Sequence, residues 1–208
     1  FGLFDYPVAR ALWMTTLEIG LVALTVISLR LTRWKLPAWQ LALLLLFSIL
    51  WYHGARSVII GQFAVLEALL IAGALLLIQH EQDQLAGLLL ALAISKPQML
   101  FLVLPFIILW AYSHRRFSLI WAIFSNTLVI LVISLLFIPT WPVQMIQQML
   151  QYPDYTSRIG SLISIITSPL PGIQRQLEVA LWIFFCIYLF VEWWVAMNKG
   201  PQWFLWTA

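Results

Sequence analysis

LAGLLLALAISKPQMLFLVLPFIILWAY, residues 85–112, is an apolar run interrupted once, at Lys96-Pro97-Gln98. As one helix it would extend about 42 Å, long for a hydrocarbon layer of about 30 Å. As two helices turning at the lysine it makes two short crossings. Proline disfavours helical backbone at the residue before it, which makes Lys96 the natural break. Charge placement supports the turn. Short loops rich in Lys and Arg favour the cytoplasmic side. The two strongest such loops hold Arg30, Arg33 and Lys35, and Arg115-Arg116. Both lie on one side only if an even number of crossings separates them, and two short helices supply the even number.

The rest of the chain has the same character. Hydrophobic residues make up 63% and charged residues 9%, with a mean hydropathy of +0.95. A soluble domain carries roughly 45–50% apolar and about 25% charged residues. So few charges cannot cover a water-facing surface, and an apolar solvent is required. The expected fold class is all-α, a polytopic transmembrane helix bundle forming a single domain over residues 1–208. Seven crossings are read: Val8–Leu29, Ala38–Tyr52, Gln62–Gln79, the two halves of 85–112, Ser118–Ile138 and Leu177–Met197.

Inner loops are then 30–37, 80–84, 113–117 and 198–202. Outer loops are 53–61, 96–98 and 139–176. Within the last, Pro142–Tyr152 sets Val143, Ile146, Met149 and Leu150 against Gln144, Gln147, Gln148 and Gln151. That pattern predicts a helix lying flat on the outer surface. A second apolar stretch, Leu162–Ile166, ends at Pro169-Leu170-Pro171-Gly172. Trp141, Trp193 and Trp194 read as interface anchors. The net charge of +3 is small and scattered, which argues against nucleic acid as a partner. The chain starts at Phe1 and ends as an apolar run opens at Trp203, so it is expected to be a segment of a longer protein.

Phosphate-loop, dinucleotide and zinc-site signatures are absent from the sequence, and no cofactor is expected. His53, His80 and His114 fall in expected loops, and Cys186 sits in an apolar run. Polar residues at the expected outer rim form two groups: Arg56 with Gly61-Gln62, and Lys96-Pro97-Gln98. A lysine between two leucine-rich runs either snorkels to the headgroups or faces an anion. A lysine is a point-charge partner for phosphate. Among the acids, Glu18 lies near mid-membrane. Glu67 follows Gly61 by six residues, about 9 Å deeper by helix rise. Glu178 and Glu192 lie near helix ends, and Asp154 and Arg158 lie in the long outer loop.

Gly61-Gln62, an apolar helix, a short polar loop, and Ala86-Gly87-Leu88-Leu89-Leu90-Ala91-Leu92-Ala93-Ile94-Ser95-Lys96-Pro97-Gln98 together resemble glycosyltransferase family 87. Further matches are His114-Arg115-Arg116-Phe117 after the next helix and Ala9-Arg10-Ala11-Leu12-Trp13 opening an earlier one. Ser161-Leu162, after Pro139-Thr140-Trp141, matches more weakly. The resemblance implies a multi-pass GT-C enzyme that transfers mannose from a polyprenyl-phosphate donor, with inversion. It implies a lipid-linked sugar donor, a glycolipid or glycan acceptor and the cell membrane as location. Lys96 is then the cation for the leaving phosphate and Arg56 the second candidate. Gln62 and Gln98 would hydrogen-bond sugar or phosphate beside Gly61. Two departures stand out: Ala64 occupies the position of a frequent Asn, and the family's catalytic acid is expected upstream of Phe1, so that Asp5 is not the base. A transporter or flippase, with ionisable groups at the midplane, and a non-catalytic membrane subunit are the alternatives.

Overall fold

A computed structural model of the chain describes residues 4–155, 169, 172–198, 204 and 207, and every regular element among them is helical. The order is α1 Tyr6–Thr32, α2 Ala38–Leu50, α3 Tyr52–Ile60, α4 Ala64–Gln79, α5 Asp83–Ala93, α6 Pro97–Leu100, α7 Val103–Ser113, α8 Phe117–Phe137, α9 Trp141–Tyr155 and α10 Gln174–Asn198. Helices α1, α8 and α10 are long and apolar enough to cross a membrane. Helices α2 and α3 pass the same test together, as a pair bent by 49° at Trp51, while α4, α5 and α7 are shorter apolar helices. The protein is an all-α membrane bundle.

Of residues 53–61, expected as an outer loop, 53–60 are helical instead and Gly61 caps the helix. His53, Arg56 and Ser57 read as loop by polarity, yet Gly54 and Val58 stand four apart and are both buried. That i, i+4 pair gives the segment a packing face, and a short amphipathic helix results. His53 therefore sits in α3 rather than in a loop.

The chain divides into two compact units, residues 1–128 and 129–207. In the first unit the direction of each helix follows from contacts between named residues. Trp13 donates from its indole Nε1 to the Gly61 carbonyl at 3.0 Å, and its ring stacks on Phe63. One helical stretch further, Gly20 packs against Val65 and Leu66. Helices α1 and α4 therefore run in the same direction, with α2 and α3 returning between them. Helix α5 runs back along α4: Gly73 faces Leu89, and Ser95 reaches Glu67.

Arg116, just past α7, is bound to Asp83 at the start of α5 and donates from Nη1 to the Ile78 carbonyl at 2.9 Å. The two ends of the 83–113 segment are thus side by side. A continuous helix would hold them about 45 Å apart, so the chain turns back at Lys96 as the proline implied.

One end of this unit consequently gathers the start of α1, the α3–α4 junction and the Lys96 turn. The other gathers the α4–α5 and α7–α8 turns. Helix α1, running in the direction of α4, carries Arg30, Arg33 and Lys35 toward that second end, the end that also holds Arg115 and Arg116.

Helix α8 packs its first half on α5 at Gly87. A Cβ added there would stand 2.8 Å from backbone atoms of both Ala122 and Ile123. Backbone cannot yield as a flexible side chain can, so the glycine sets the distance between the helices. Gly87→Val is expected to destabilise the protein by about 2–3 kcal/mol through overpacking. Thermal unfolding of the detergent-solubilised protein measures this, and an unchanged midpoint contradicts the close approach.

In the second unit, α9 begins at Trp141, whose Nε1 donates to Ser134 Oγ at 3.2 Å. Val143, Ile146 and Leu150 are exposed along α9, as are Gln144, Gln147 and Gln148. In helix α10 Trp194 is exposed and Trp193 is buried. Glu178 accepts from Gln174 at 2.9 Å within the first turns of α10. Arg158 and the Leu162–Ile166 stretch lie outside the described residues, as does the side chain of Asp154.

Candidate functional site

The site is built where α4 begins and α5 ends. Helix α3 closes with Gly61 in the left-handed region, at φ 72° and ψ 36°. Only glycine adopts this conformation without a Cβ penalty. The Gln62 N–H then donates to the Ser57 carbonyl at 2.8 Å, the six-to-one bond that ends a helix with a glycine cap. Gln62 is exposed, and its side-chain oxygen accepts from Ser57 Oγ at 3.4 Å. The Gly61 carbonyl is taken by Trp13. This junction is pinned from both sides before α4 starts.

At the other strand of the site, α5 loosens ahead of Pro97. The N–H groups of Ile94, Ser95 and Lys96 reach back three residues, at 3.3 to 3.4 Å, as in a tightened last turn. Lys96 adopts φ −128° and ψ 77°, outside the helical region that a following proline disfavours. Its carbonyl accepts from the Met99 N–H at 3.0 Å and starts the short α6. The lysine side chain is half-buried. Its place at the turn is fixed by backbone chemistry, while its ammonium has no ion-pair contact among the described residues.

Glu67 joins the two halves. It lies one turn into α4 and is fully buried, at 0% exposure. Ser95 Oγ donates to its Oε1 across a long 3.5 Å contact. Its other oxygen, Oε2, is buried with no hydrogen-bond partner among the described residues. Lys96 follows Ser95 directly in the chain, so the turn that carries the lysine adjoins this carboxyl group. A buried carboxylate needs pairing or hydrogen bonds to be tolerated, and here the contact among the described residues is the one long hydrogen bond from Ser95.

Of the residues expected at a site, the structure brings Gly61, Gln62 and Lys96 to one end of the first unit, on the two flanks of the first turn of α4. Arg56 shares that end but folds back along its own helix. It donates from Nη1 to the Tyr52 hydroxyl at 2.9 Å, and its guanidinium carbon lies 5.8 Å from the Tyr52 ring centre. Gln98 is the second residue of α6, and its side chain lies outside the described part. Asp5, exposed at the start of α1, stands roughly 12 Å beyond the level of Trp13 by helix rise. Glu18 is half-buried in α1. Among the described residues no group of three His, Cys, Asp or Glu gathers to hold a metal.

Glu67 is the residue that reading the sequence undervalued. Its depth below Gly61 is legible by counting, but its burial and its link to Ser95 require α5 to return along α4.

The opposite end holds a different cluster. Asp83 accepts from Arg116 and from Ser118, and the Arg116 guanidinium also lies 5.4 Å from the Trp110 ring. A cleft of about 420 Å³ opens there, lined by Glu81, Asp83, Arg115, Arg116, Phe117 and Ser118. The cations of the site end are Arg10, Arg56 and Lys96. The other end carries Arg30, Arg33, Lys35, Arg115 and Arg116, the bias of a cytoplasmic side.

The sequence profile of glycosyltransferase family 87 matches residues 1–207. No curated protein and no solved structure matches the chain. The match runs through both arms of the site, the Gly61-Gln62 cap and the Lys96-Pro97 turn, and through the apolar helices that carry them. The chain belongs to glycosyltransferase family 87 and is a membrane glycosyltransferase.

Proposed function

We propose that this protein is a GT-C type mannosyltransferase that moves a sugar from a polyprenyl-phosphate donor to an acceptor hydroxyl at the outer face of the cell membrane. The observation that carries the reading is Lys96: a half-buried cation without an ion-pair contact among the described residues, held at the break between two short apolar helices. A charge in that position faces apolar surroundings unless an anion comes to it. A donor anchored by a polyprenyl chain approaches from the lipid and brings its phosphate to the membrane surface. Within the first unit, the end that holds Lys96 has the fewer cations, which supports an outer location.

In the reaction, the acceptor hydroxyl attacks the anomeric carbon from the face opposite the phosphate. The bond between that carbon and the phosphate oxygen breaks, and its electron pair stays on the phosphate. A carboxylate takes the acceptor proton as general base. Charge grows on the departing phosphate, and Lys96 stabilises it. Gln62, exposed beside the Gly61 cap, and Gln98, on the first turn of α6, are the hydrogen-bonding candidates for sugar or phosphate. Arg56 is a second cation for the phosphate if its guanidinium leaves Tyr52.

Donor class is the direct test. The protein in lipid vesicles is expected to transfer labelled mannose from a polyprenyl-phosphate mannose and to leave a nucleotide-linked mannose untouched. Transfer from the nucleotide sugar alone overturns the reading.

A further inference from the structure

The reaction proposed above changes the charge at Lys96, and Glu67 lies where that change is felt. A polyprenyl-phosphate sugar is a phosphodiester with one negative charge. When the anomeric bond breaks, the electron pair remains on the phosphate and the acceptor proton goes to the base. The product is a polyprenyl monophosphate, a monoester carrying about −1.5 to −2 at neutral pH. An ammonium acting alone holds the more negative ion more tightly. Product would then remain at the site and compete with fresh donor.

Glu67 changes that balance. It is fully buried beside the turn, its Oε1 meets Ser95 Oγ, and its Oε2 has no hydrogen-bond partner among the described residues. A leucine would fill a buried position in this apolar helix without bringing a charge into it, and a buried carboxylate is costly in such a place. Its neighbours explain the local geometry but not the presence of a carboxylate: the serine contact is long, and Lys96, next to Ser95 in the chain, makes no ion-pair contact with it. With Lys96, the couple has zero net charge. An incoming phosphate is attracted by the ammonium and repelled by the carboxylate behind it. The repulsion grows with the charge of the phosphate, so it weighs more on the product than on the donor.

We infer that Glu67 is a positioning residue that acts through Lys96, lowering the affinity of the donor-phosphate site for the polyprenyl monophosphate product and so promoting its release. The assignment rests on the proposed donor reading.

The test uses the whole chain in lipid vesicles, with a synthetic polyprenyl monophosphate added as inhibitor and polyprenyl-phosphate mannose as donor. Glu67→Gln keeps the shape and removes the charge. Its inhibition constant for the monophosphate is expected to fall about tenfold and its donor KM about threefold, the order of one partly screened charge acting on unequal partners. Its kcat is expected to fall as release slows. A merely structural role weakens both ligands together, so a rise in both constants, or an unchanged ratio between them, overturns the inference. If Glu67→Gln does not fold, Glu67→Asp and Glu67→Asn make the same comparison. They are equal in size and differ in charge, and the aspartate alone is expected to retain the wild-type ratio. Lys96→Gln separates this inference from the reading beneath it. Full transfer by Lys96→Gln removes the donor-phosphate site itself. Loss of transfer there, with an unchanged ratio in Glu67→Gln, removes only the role of Glu67.

Discussion

Lys96→Ala is expected to lower sugar transfer by about 10²–10³-fold, the range found when one stabiliser of developing negative charge is removed. The loss should appear in kcat and in kcat/KM, because the charge on the phosphate grows as the bond breaks. Stability should change little. The lysine is half-buried and makes no ion-pair contact among the described residues, and the turn that carries it is set by the backbone conformation before Pro97. Removing the ammonium leaves Glu67 buried with Ser95 as its hydrogen-bond donor, so a modest fall in unfolding temperature accompanies the catalytic loss. Arginine at this position keeps the charge but presents a planar fork on a different stem, and partial activity is expected. Turnover assays on Lys96→Ala and Lys96→Arg, beside thermal unfolding of each, check the pattern. Wild-type turnover by the alanine variant removes the lysine from the mechanism.

The turn at Lys96 was legible in the sequence because a local rule decides it: proline restricts the residue before it whatever surrounds the pair. Bundle architecture was legible for a similar reason, since composition alone forces these helices into an apolar solvent. The matching of Arg30, Arg33 and Lys35 with Arg115 and Arg116 at one end came from parity of crossings, and the Arg116–Asp83 contact agrees with it. What escaped was long-range. Helix α3 was missed because polarity outweighed the spacing of Gly54 and Val58. The burial of Glu67 depends on Ser95, 28 residues away, returning along α4. Trp13 stands in the sequence as the last residue of the Ala9-Arg10-Ala11-Leu12-Trp13 match, and nothing there shows that its indole holds the Gly61 carbonyl across 48 residues. No periodicity reports such partners, because each helix is compatible with several neighbours until the bundle closes.

The largest effect on stability is expected at the opposite end, where Arg116→Ala should cost about 3–5 kcal/mol. Its side chain and that of Asp83 are 19% and 13% exposed, so solvent screens the pair only in part. Three groups lose their donor together: the Asp83 carboxylate, the Ile78 carbonyl at the end of α4, and the face of the Trp110 ring. Asp83 would keep Ser118 as a hydrogen-bond donor, too little for an ion that has lost its countercharge. Pairwise logic makes a sharper expectation. Most of the penalty comes from the abandoned carboxylate rather than from the lost attraction. Replacing both partners, Arg116→Met with Asp83→Leu, should therefore yield a protein more stable than Arg116→Met alone. Chemical unfolding in detergent of the two single variants and the double variant measures the difference. Strictly additive losses would mean that the two side chains act independently, and that the return of α7 to the start of α5 is held by apolar packing instead.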